Sequence, residues 1–141
     1  MRTIVPLGQA ELTEIGAYVD FVTGAPAPVR EVLGIDSLHV GSALALAVRE
    51  DPSRFFNRAG GFGAGEPITA DVVAQVCDFY REQGVPQGAF MIAPSLLPSD
   101  WASTAAQWNL TEGSRFVKLG CDVEAVAAAD GVAALDPGLR G

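Results

Sequence analysis

Arg58-Ala-Gly-Gly-Phe-Gly63 governs the reading of the chain, because an arginine followed by closely spaced glycines is the pattern of a backbone cradle for an anion such as a pyrophosphate. Successive glycines let main-chain N–H groups turn toward an anion with no side chain in the way, and a helix starting just behind them adds its partial positive charge. Here residues 64–68, Pro67 among them, come before the first N-cap residue, Thr69, and Glu66 carries a like charge toward any phosphate. Two readings follow. Arg58, Gly60, Gly61 and Gly63 either hold a ligand or form a tight glycine turn that packs inside the domain. The packing reading ranks first, since short glycine motifs recur without a ligand.

Just before this stretch, Asp51-Pro-Ser is a turn signal, and residues 54–58 read as a strand that runs into the glycines. Behind them Thr69 caps a helix with Asp71 in its first turn and Val72, Val73, Val76, Phe79 and Tyr80 on its apolar face, stopped by Gly84. Residues 88–93 are almost wholly apolar and precede Pro94, the pattern of a central strand buried on both faces. Ser99 is the expected cap of a further helix over 100–108, and residues 114–123 alternate as a strand does.

Upstream, a short strand is expected at 3–6. Leu12, Ile15, Val19 and Val22 then recur at three- and four-residue steps, one buried stripe of an amphipathic helix ending near Gly24. Ala25-Pro-Ala-Pro28 breaks it, and Val29 to Leu33 make a second short helix closed by Gly34. Residues 37–48 alternate apolar and small side chains, as a half-buried strand or a hairpin broken at Gly41-Ser42 would.

Composition limits the functional classes. At 141 residues, with 49% hydrophobic and 18% charged residues, the chain is one foldable domain with a real core. A formal charge of −8 argues against nucleic acid or an anionic membrane as a partner, and favours neutral or cationic ones. Cys77 and Cys121 lie far apart and show no metal-ligand spacing, so two inert core thiols are expected, no metal, and a reducing, cytoplasmic setting. No secretory leader and no apolar run of membrane-spanning length is visible. Residues 124–141 are Ala-, Gly- and Pro-rich without periodicity and read as a linker or irregular tail, one that ends where a further domain was cut or lost.

Strand, two helices, hairpin, strand, glycine segment, helix, strand, helix, strand: this order over most of residues 9–123 resembles the GNAT N-acetyltransferase fold. Phe55-Phe-Asn-Arg-Ala-Gly-Gly-Phe-Gly63, Pro67-Ile-Thr69, Phe79-Tyr-Arg81, Gly84 and Ile92-Ala-Pro94 are similar to one branch of that family, the two-part bacterial proteins. Their first half is a degenerate acetyltransferase-like unit, and their second half carries the working acetyl-CoA site. Lys118-Leu-Gly-Cys-Asp-Val123 resembles the closing strand of such a first half. The resemblance implies a mixed, mostly antiparallel α/β sheet with helices on both faces over 1–123, and a chain that has the first half and lacks the second. It assigns Arg58, Gly60, Gly61 and Gly63 to a pyrophosphate loop for acetyl-CoA, and a second acetyltransferase half, another copy of the chain or a small amine as partner.

Acetyl transfer to an amine needs a base for the ammonium, a donor for the thioester oxygen and an acid for the leaving thiolate. Candidates are few. Family members often carry a tyrosine on the later helix as that acid, and here Trp101, Ala105 and Trp108 hold the place. Tyr80 falls on an apolar helix face and reads as core. His39, the only histidine, lies in an apolar strand with nothing nearby to orient it, so a structural, hydrogen-bonded residue is expected rather than a base. Glu50 and Asp51 read as solvated turn residues, Trp101 and Trp108 share one helix face and read as core before interface, and Asn57 suggests no chemistry. Three functions stay open: a GNAT-like unit without turnover of its own, a small active acetyltransferase acting on an amine, and a binding or docking module unrelated to coenzyme A.

Overall fold

A computed structural model describes residues 6–114 of the chain. The strands expected at 3–6 and 114–123 fall almost wholly outside these residues, and Cys121 and the 124–141 tail wholly so.

The described residues form a mixed α/β domain with a four-stranded sheet and four α-helices. Helix α1 spans Leu7–Thr23 and α2 spans Ala27–Leu33. Pro26 and Pro28 suit the start of α2, where a missing N–H costs nothing, and Gly34 ends it in the left-handed region. Strands β1 (Ile35–Val40) and β2 (Ala43–Val48) are the hairpin arms, and Gly41 at φ +58 takes the first place of the two-residue turn, where a side chain would be strained. The sheet order is β1-β2-β3-β4, with β3 at Arg58–Gly60 and β4 at Ala89–Phe90. β1–β2 and β2–β3 pair antiparallel, while β3–β4 pair parallel, a connection that needs a crossover and obtains it from α3 (Ala70–Glu82).

β2 is buried along nearly its whole length because both of its faces are covered. Ala43, Ala45 and Ala47 face a core with Val73, Val76, Phe79 and Tyr80 of α3, and the small alanines let that helix approach closely. Leu46 and Val48 face the other way, into a second cluster with Tyr18, Val19 and Val22 of α1. Helix α4 (Trp101–Gln107) brings Trp101 and Trp108 against the α3 side, as the core reading of the pair expects. Thr69 caps α3 by accepting the Val72 N–H at 3.3 Å, and Gly84 follows the helix at φ +70.

Four local expectations are corrected. Residues 54–57 are not strand: Arg54 sits at φ +61, and Asp51 accepts the Ser53 and Phe56 N–H groups at 2.9 and 3.3 Å, so side chains replace a ladder. The Ser53 hydroxyl, which donates to Asp51 Oδ1 at 2.7 Å, and after it these backbone bonds hold the Asp51 carboxyl below its ordinary pKa. The apolar run at 88–93 supplies a strand of two residues only, Ala89–Phe90, with Ala89 exposed rather than buried, and among the described residues it stands last in the sheet, while β2 and β3 lie inside it. Ser99 does not cap α4; Asp100 holds the N-cap position, with no side-chain bond to the helix. In α1 Ile15 and Val22 are buried and Val19 packs against the cluster that holds Val22, as read, but at the start of the stripe Glu11, 4% exposed, is buried in place of Leu12, 39% exposed.

Candidate functional site

The glycine segment begins as strand and not as loop. Arg58 and Gly60 lie in β3, opposite Leu46 and Leu44 of β2, and the chain leaves the sheet only at Gly61. This follows from Asn57, which is 2% exposed and accepts the buried Val48 N–H through Oδ1 at 2.6 Å while its own carbonyl accepts Ala89 N–H. The side chain thus completes the β2 edge where the strand has not yet begun, and starts β3 at Arg58. Asn57→Ala leaves the Val48 N–H buried without a partner, so unfolding in urea is expected to show a loss of about 1–3 kcal/mol, against about 0.5 for an ordinary surface change.

Three of the four predicted site residues, Arg58, Gly60 and Gly61, make close packing contacts. The Arg58 guanidinium lies 4.2 Å from the Phe55 ring centre and 5.5 Å from that of Tyr18, and its Nε donates to the Phe55 carbonyl at 2.7 Å. Those contacts point it to the aromatic side of α1. Gly60 admits α1: a Cβ there would stand 3.0 Å from Met91 Cε and 3.1 Å from Ile15 Cβ. Gly61, at φ +79, passes so close to the β1–β2 turn that a Cβ would stand 2.6 Å from the Ser42 carbonyl oxygen and 3.0 Å from Leu12 Cδ2. Phe62 between the glycines is 2% exposed and stacks on Phe90 with ring centres 5.3 Å apart.

Residues 61–66 fold back over the hairpin tip. Ser42 Oγ donates to the Gly61 carbonyl at 2.7 Å, and the Ser42 N–H donates to Glu66. Beyond the fold-back lies a shallow cleft of about 400 Å³, lined in part by Gly63, Gly65, Glu66, Ser95 and Leu96. Of the four predicted residues only Gly63 lines it, and among the described residues the one charged side chain there is Glu66. A carboxylate beside an open glycine turn repels a pyrophosphate rather than neutralising it. Arg58, Gly60 and Gly61 do not join Gly63 in lining this cleft.

No family model, curated protein or solved structure matches the chain.

The groups that acyl transfer would need are dispersed. Tyr80 is 5% exposed, donates its hydroxyl to the Leu46 carbonyl at 3.2 Å, and is pushed far above the ordinary phenol pKa, by burial first of all. It is a core residue, as its helix position implies. His39 is exposed on β1, not enclosed in an apolar strand as expected, and among the described residues β1 has β2 as its one neighbour. Cys77 is half-buried beside the α3 core, and burial, then Asp78, push its thiol pKa up, the opposite of an activated nucleophile. Glu50 is exposed and paired with Arg49 at 3.2 Å. Among the described residues no three His, Cys, Asp or Glu side chains are placed to hold a metal ion, and no helix is long and apolar enough to cross a membrane.

Sequence reasoning named Asn57, Ser42 and Glu66 but missed that their hydrogen bonds fix the shape of the segment. Asn57 carried a weak signal: an amide just before a glycine run is a residue type that substitutes for backbone partners. Ser42 and Glu66 meet across the fold, 24 positions apart, and no local pattern joins them.

Proposed function

We propose that the chain is a GNAT-like unit without turnover of its own, the non-catalytic N-terminal part of an acetyl-CoA-dependent acetyltransferase. The observation that carries this is the filling of the glycine segment from within. Leu12, Ile15, Ser42 and Met91 occupy the space beside Gly60 and Gly61 that a pyrophosphate would need. The resemblance in residues 55–94 supplies the family, and the antiparallel β1-β2-β3 sheet that turns parallel at β4, with α1 and α3 on opposite faces, supports a GNAT-type fold. On this reading the unit works in the cytoplasm as a scaffold, beside a second acetyltransferase half or another copy, and the acetyl-CoA and amine sites belong to that half.

The rival is a small active acetyltransferase using Arg58, Gly60, Gly61 and Gly63 for acetyl-CoA. Among the described residues its acid and base would come from groups that are buried in the core or spread over the surface, such as Tyr80 and His39. Thiol release from acetyl-CoA, followed with the purified chain and a panel of small amines, separates the two. The expected rate equals the uncatalysed rate for every amine; release that saturates with one amine overturns the proposal.

A further inference from the structure

We draw no further inference here: the strongest candidate, the surface patch of Tyr18, Phe21, Phe55 and Phe56 where α1 meets the 51–57 turn, leaves Phe21 77% exposed, but nothing in the structure shows what covers it.

Discussion

Phe62→Ala is expected to lower the stability of the domain by about 3–5 kcal/mol, the cost of removing a buried aromatic ring and leaving its cavity. Phe62 is 2% exposed, stacks on Phe90, and belongs to the cluster that joins β2 to α3. A small domain has only about 5–15 kcal/mol in total, so the variant should sit near its unfolding threshold at 37 °C. Urea denaturation with an unchanged m value is the measurement. In a loop built to present its amides to a ligand, this ring would be a solvent-facing spacer, and its loss would cost within about 0.5 kcal/mol. A loss below about 1 kcal/mol would contradict the packing described here.

Gly61→Ala ranks second, at about 2–4 kcal/mol. The left-handed backbone at φ +79 alone costs a non-glycine residue about 1–2 kcal/mol. The rest comes from contact: the new Cβ would stand 2.6 Å from a backbone oxygen at Ser42, which moves only if the hairpin turn moves with it. Gly65 provides the control. It has φ +88 but nothing within 4 Å of where a Cβ would stand, so Gly65→Ala carries the backbone strain of about 1–2 kcal/mol without the clash. The difference between the two variants in parallel thermal melts reports the approach of the segment to the hairpin. Equal losses would mean that Gly61 is held by its turn and not by its neighbours.

The elements that the sequence made legible are those whose reasons are local. Thr69, Asp71 and the apolar face through Tyr80 define α3 without help from the rest of the fold, and Gly34 and the Gly41-Ser42 break mark the end of α2 and the hairpin turn in the same way. What failed depended on distant partners. Residues 54–57 have strand-like side chains, yet Asp51 and Ser53 offer their backbone closer acceptors than any strand does. The run at 88–93 is apolar throughout, yet only Ala89 and Phe90 pair as strand, and among the described residues the deepest strand is β2, whose alternating alanines and larger residues pack two helices at once. The candidate site shows the same division. Arg58, Gly60, Gly61 and Gly63 are spaced as an anion cradle would be, and only the fold shows that α1, Ser42 and Phe55 crowd Arg58, Gly60 and Gly61 while Gly63 lines the cleft.

If the glycine segment packs the domain and holds no acetyl-CoA, a thermal melt of the purified chain should be the same with and without acetyl-CoA, and the comparison is repeated with Arg58→Ala. A ligand at a hundredfold over its dissociation constant adds about 2.7 kcal/mol, a shift of several degrees for a domain of this size. No shift is predicted for either protein, with Arg58→Ala melting slightly lower throughout because the guanidinium leaves Phe55 and Tyr18. A shift of several degrees that disappears in Arg58→Ala would contradict the packing role and make the glycine segment a cofactor site.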